Sequence, residues 1–269
     1  MKEEKNMMFN ISYIKGENYS VKKFYSTPRF KNIPRKRGIV GHAFTDPEQL
    51  RKSKKARAVA NIDFALRNNF NLTEKNTLLT FTISNEVCTY DILMKCFKDI
   101  MRALKRQIEI DLLKEFKFVW VLDFNKSGFY HVHLLTNFNF DQSSKLFWQK
   151  KWNKKVIKEF GLTGNSRAGS LNFTSIFSSE HLENEFLYLI QKVKKTYSDP
   201  KSDDKQRYST SRNLGKKEKN NEFKPFNLKD EKKNNVDKYG RNNVIFSAYI
   251  DYNDSGKVYI EKINKFDID

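Results

Sequence analysis

The chain has 269 residues and is poor in cysteine, proline, glycine and acidic side chains, and these shortages narrow what it can be. Cys88 and Cys96 are its two cysteines; they lack the spacing of a zinc knuckle or a redox pair and are expected to be buried thiols. No apolar run approaches transmembrane length, which argues against a membrane protein. The opening residues Met1-Lys2-Glu3-Glu4-Lys5-Asn6 have no apolar stretch or cleavage-like site, so the expected location is the cytoplasm. There is no Gly-x-x-x-x-Gly-Lys-Ser/Thr sequence and so no sign of an ATP-driven helicase module; the glycines between Gly161 and Ser170 lack the lysine and read as a loop. Five prolines and ten glycines beside abundant Lys, Asn, Phe and Ile reflect an AT-rich coding sequence rather than chemistry.

What is abundant is positive charge. Lys plus Arg number 51 against 32 Asp plus Glu, a formal charge of +19. That balance is the footprint of a polyanion binder, with nucleic acid the leading partner. The basic residues are spread along the chain rather than gathered beside an apolar anchor, which disfavours a membrane surface.

The length suits one large domain with extensions. Residues 1–70 read as a basic arm with a helix from about Asp46 to Arg67, and 71–215 as the main domain. Residues 216–269 read as a linker and a C-terminal hairpin around Asn253-Asp254-Ser255-Gly256, the loop-like composition already beginning at about 199 and running to 235. Arg35, Lys36 and Arg37 in the arm, and Arg51, Lys54, Lys55 and Arg57 on its helix, are candidate DNA contacts, although such charge runs also serve as plain solvated faces. In the main domain, strand and helix periodicities give the order β-α-β-β-α-β-α, an α+β fold of the split βαβ (ferredoxin or RRM-like) kind with an antiparallel sheet backed by helices.

Chemistry concentrates in that domain. His131 and His133, half of the chain's four histidines, stand two apart in the apolar run Phe129 to Leu135, so in a strand both imidazoles share one face. Such a pair is a half-site for a divalent metal, and an acidic residue on the neighbouring strand would complete it. Asp123 lies opposite His131 if the connection spans Asn125 to Phe129; with one residue fewer, Leu122 takes that place and Asp123 points away. Downstream, Phe186, Leu189, Ile190 and Val193 form an apolar helical stripe, and Tyr188, Lys192 and Lys195 fall on the other face. A phenol is a poor nucleophile near its ordinary pKa, and adjacent cations are what would make it usable.

Together, Thr80-Phe81-Thr82, then Asp123 with His131-Val132-His133, then Tyr188-Leu-Ile-Gln-Lys192-Val-Lys-Lys195 resemble the three motifs of the HUH endonuclease superfamily, and most of all its rolling-circle replication initiators from small plasmids and single-stranded DNA phages. The resemblance covers about residues 75–215 and extends to Tyr208-Ser209-Thr210-Ser211-Arg212-Asn213-Leu214, where Arg212 is a further candidate DNA contact. It implies a bacterial host cell and an HUH-type fold. It also implies that Asp123, His131 and His133 bind a divalent metal, manganese or magnesium, that polarises the scissile phosphate. Tyr188 would then attack, leaving a 5′-phosphotyrosine and a 3′-hydroxyl, with Lys192 and Lys195 beside it. Single-stranded DNA, a replication origin, and a host helicase and polymerase are the implied partners.

Gln191 stands where many relatives carry lysine, and Lys192 where the phage type often has a second tyrosine, so a single-tyrosine enzyme is expected. Glu185, nearly one turn before Tyr188, is placed to activate water for a terminating cleavage. A single-tyrosine transposase or relaxase would share this chemistry. A metal nuclease using water directly, and a non-catalytic single-strand binder on an RRM-like sheet, are the readings from other classes.

Overall fold

A computed structural model describes residues 8–30, 47–83, 89–125, 128–160, 168–222, 228–251 and 257–265. Two units are distinct: Pro47–Leu214, and a second one formed by Met1–Asp46 together with Gly215–Asp269. Each is built on a five-stranded antiparallel sheet.

The larger unit runs α1 (Pro47–Asn69), β3 (Asn76–Ile83), α2 (Tyr90–Arg106), β4 (Phe118–Phe124), β5 (Tyr130–Thr136), α3 (Gln142–Phe160), β6 (Gly169–Ile176), α4 (Ser179–Ser198) and β7 (Tyr208–Thr210). Its strand order is β6-β3-β5-β4-β7, with β5 inserted between β3 and β4. This is the α+β, split βαβ arrangement expected from the sequence.

Strand alternation divides the core in two. Leu79, Phe81, Trp120, Leu122, Val132, Leu134 and Leu171 face α2 and α3, where Phe97, Ile100, Leu104, Trp148, Trp152 and Val156 are buried. Cys96 of α2 is a buried free thiol, as expected, while Cys88 lies outside the described residues. Leu78, Val119, Val121, Leu135 and Ile176 face the other way, onto Ile62 and Leu66 of α1 and Leu182, Phe186, Leu189, Ile190 and Val193 of α4. Gly169 lets the first layer close: a Cβ there would lie 2.8 Å from Trp152 Nε1, which donates to the Thr82 carbonyl at 3.1 Å.

The smaller unit holds β1 (Met8–Lys15), β2 (Tyr19–Phe30), β8 (Glu218–Glu222), α5 (Leu228–Tyr239), β9 (Val244–Asp251) and β10 (Lys257–Asn264), in the sheet order β8-β1-β2-β10-β9. Sequence periodicity misreads this region in three ways. Residues 8–30 are not a polar arm but a strand pair, with Ile11 and Phe24 buried opposite one another. The stretch 199–235 is not a linker: it contains a 3-10 turn at Pro200–Ser202, β7, β8 and most of α5, and its short strands bear too few apolar side chains to show a period. The boundary expected near 70 falls instead before Pro47, because α1 packs on α4 through Ala58, Ile62, Ala65 and Leu66, and Arg67 pairs with both Asp63 and Glu183. The C-terminal hairpin is present as β9 and β10, but β10 also pairs with β2.

Candidate active site

On the α1/α4 side of the larger sheet, the apolar rows give way at one end to polar residues. Thr80 pairs with His133, Thr82 with His131, and His131 with Asp123. The strand parity that sequence left open is therefore the one that sets Asp123 opposite His131. The turn that fixes it is tied by Asn125: its N–H donates to the Phe129 carbonyl at 3.0 Å and its side chain accepts from Phe129 N–H at 3.0 Å. Gly128 supplies the left-handed backbone, with φ of 85°.

Asp123 is 1% exposed. Its Oδ2 lies 3.0 Å from His131 Nε2 and 3.7 Å from His133 Nε2, and accepts from Lys192 at 2.7 Å; its Oδ1 accepts from Lys195 at 2.8 Å. Lys195 also donates to the Phe124 carbonyl. Burial alone would raise the carboxyl's pKa, but the four donors outweigh it and hold the group far below the ordinary carboxylate range. His133 is displaced the other way, its burial favouring the neutral imidazole.

Helix α4 brings the nucleophile candidate. Ser178 caps it, accepting from His181 N–H at 3.1 Å, and the stripe from Leu182 to Val193 seats it on the sheet. Tyr188 does not look away from the core as its spacing suggested; half-buried, it leans over the sheet, and its hydroxyl lies 3.1 Å from His133 Nε2. The Lys192 ammonium stands 4.6 Å from the centre of the tyrosine ring. Burial raises the phenol's pKa and Lys192 opposes that, leaving a net upward shift. The pKa of Lys192 rises despite partial burial, because Asp123 holds its charge.

Thr80 was part of the sequence pattern but carried no role. Its hydroxyl lies 3.1 Å from His133 Nδ1. With Nδ1–H donating to Thr80, Nε2 keeps its lone pair for Tyr188 or for a metal. The signal was the pairing of β3 with β5, which are separated by a whole helix and a strand and so cannot be registered from sequence.

Asp123, His131 and His133 offer one carboxylate oxygen and two imidazole nitrogens, all within 4.8 Å of one another. The mixed set fits a divalent ion such as manganese or magnesium. Of the other candidates, Glu185 pairs with His181 at 3.3 Å, a histidine that sequence gave no function. Arg51 bonds Asp203 at 2.8 Å and Lys55 bonds Ser198 at 2.7 Å, so part of that charge run ties α1 to the segment at and after the end of α4. Lys54, Arg57 and Arg212 are exposed, and Arg35, Lys36 and Arg37 lie outside the described residues.

The α+β fold, with its histidine pair on one strand and a tyrosine-bearing helix over it, is of the HUH endonuclease type. Residues 76–197, from the start of β3 to the end of α4, match the replication-associated protein family of the ORF2 type, consistent with an HUH-type rolling-circle replication initiator. No curated protein and no solved structure gives a significant match to the chain. No helix among the described residues is long and apolar enough to cross a membrane.

Proposed function

We propose that the protein nicks and rejoins single-stranded DNA at a replication origin through a tyrosine-linked intermediate, and so starts rolling-circle replication. The observation that carries this reading is the Tyr188 hydroxyl at 3.1 Å from His133 Nε2, beside a buried carboxylate that also gathers His131, Lys192 and Lys195. A surface tyrosine on a basic helix has no need of such neighbours.

Asp123, His131 and His133 would hold a divalent ion, which when bound would polarise the scissile phosphate. The Tyr188 oxygen forms the new P–O bond as the P–O3′ bond breaks. The tyrosine's proton passes to solvent base and the departing 3′ oxygen takes one up, giving a 5′-phosphotyrosine and a 3′-hydroxyl. Lys192 stabilises the phenolate as it develops, and Lys195 keeps Asp123 ionised and in place. The phosphotyrosyl bond conserves the energy of the broken linkage, so rejoining needs no nucleotide triphosphate. The 3′-hydroxyl would prime a host polymerase, and a host helicase would open the duplex. The exposed Lys54, Arg57 and Arg212 and the smaller unit would help select the origin.

Incubation with manganese and single-stranded DNA bearing the cognate origin should give a denaturant-resistant protein-DNA adduct, wholly lost in Tyr188→Phe. Cleavage without an adduct would point instead to direct hydrolysis by water. We assign the terminating step to Glu185, held by His181. Glu185→Gln should leave the first nick intact and trap the covalent product; unchanged release kinetics would refute that role.

A further inference from the structure

A second feature of the larger unit lies on the opposite, α2/α3 side of the same sheet. Between α2 and β7 is a cleft of about 430 Å³ whose floor is Met101, Phe118 and Trp120 and whose rim carries Lys98, Arg102 and Lys105. The three cations recur at four- and three-residue spacing along one face of α2 and are all exposed. No acidic residue lines the cleft. An aromatic floor under a cationic rim is the chemistry that receives unpaired bases with their phosphates outward.

The cleft is joined to the candidate active site by a row of rings and ammonium groups. Gln206, at the cleft wall, donates its N–H to the Tyr90 hydroxyl at 2.9 Å. Tyr90 meets Tyr130 edge-on at 5.9 Å, and Tyr130 meets Phe124 at 6.2 Å. Lys205 stands 5.6 Å from the Tyr90 ring and Lys195 4.5 Å from the Phe124 ring. Phe124 and Tyr130 are the chain neighbours of Asp123 and His131, so the row ends where the scissile phosphate would lie.

We infer that the cleft between α2 and β7 binds bases of the single strand that flanks the cleavage point, the strand passing round the sheet end over Phe124, Tyr130 and Tyr90. The inference rests on the proposed nicking function for which strand is bound, but binding can be measured without cleavage. The probe is a fluorescent oligothymidylate, titrated into the full chain carrying Tyr188→Phe. Replacing Lys98, Arg102 and Lys105 together by alanine should weaken binding roughly tenfold or more, and should flatten the salt dependence by about 0.7 per cation removed. Removal of Lys154, Lys158 and Lys194, three exposed lysines elsewhere on the unit, should cost much less. Phe118→Leu, which keeps apolar volume but removes the ring face, should weaken binding about fivefold at an unchanged melting temperature.

Equal losses in the two triple variants, or unchanged affinity and salt slope in the cleft variants, would overturn the assignment; the second result would leave the cleft to a protein partner. Failure of the wild-type chain to form an adduct would count against nicking while leaving the oligothymidylate result to stand or fall on its own.

Discussion

Both units are five-stranded antiparallel sheets, and each buries a carboxylate on a strand interior, yet the two carboxylates are driven in opposite directions. Asp123 in the larger unit is 1% exposed and Glu261 in the smaller one 0%. Burial pushes both toward the neutral form. Asp123 is met by two imidazoles and two ammonium groups and stays ionised far below the ordinary range. Glu261 receives one amide, Asn235 Nδ2 at 2.7 Å, and its Oε1 has no partner among the described residues. Lys22, its cross-strand neighbour, pulls downward but is itself engaged with Glu231 at 3.3 Å, so the pKa of Glu261 rises. Cationic donors, not depth, separate a carboxylate equipped for chemistry from one that is a structural hydrogen-bond acceptor.

The sharpest way to break this comparison is to remove the charge from each. Asp123→Asn should abolish adduct formation, since it removes a metal ligand and leaves Lys192 and Lys195 without their counter-ion. Both lysines reach solvent, so the cost in stability should stay near ~1–2 kcal/mol. A denaturant midpoint measured beside the adduct assay separates the two losses. If Asp123→Asn still forms the adduct, Asp123 is no more functional than Glu261.

How far this contrast could be read in advance depended on the kind of signal. The strands and helices of the larger unit announce themselves because each buries a face with a regular period, as Phe186, Leu189, Ile190 and Val193 do on α4. The histidine pair, Asp123 and Tyr188 were visible as residue types at telling spacings. Their convergence was not, because it depends on the five-residue connection from Asn125 to Phe129 and on the pairing of β3 with β5. The smaller sheet was largely hidden: it joins segments from the two chain ends, with β1 pairing β8 and β2 pairing β10, and strands such as Glu218–Glu222 have almost no apolar side chains. Hydrophobic periodicity reports burial, and it fails where backbone pairing alone makes the strand.

A smaller effect tests what holds the site in order. Thr80 acts on the candidate metal centre only through His133 Nδ1, so Thr80→Val should lower manganese affinity about 10- to 100-fold, read by calorimetry with the metal alone. Thr80→Ser keeps the hydroxyl and should restore it. Equal affinity in the two variants would mean that packing, not the hydrogen bond, orients the ring.

The smallest effect is on the other carboxylate, and its sign is opposite. A glutamate whose pKa is raised by folding stabilises the native state while protonated, below its unfolded value of about 4.3, and that contribution is lost as pH rises through the folded value. For Asp123 the contribution is present above about pH 3.9 and is lost as pH falls. Glu261→Gln keeps an oxygen for Asn235 and removes the ionisation. It should therefore be neutral or stabilising by about 1 kcal/mol at pH 7 and should remove that decline from the chain's stability above about pH 4.5, with adduct formation unchanged. Urea midpoints from pH 4 to 8 would show it. A Glu261→Gln variant that loses stability at pH 7 would mean that Lys22 needs the charge, and that the smaller sheet holds its carboxylate as the larger one does.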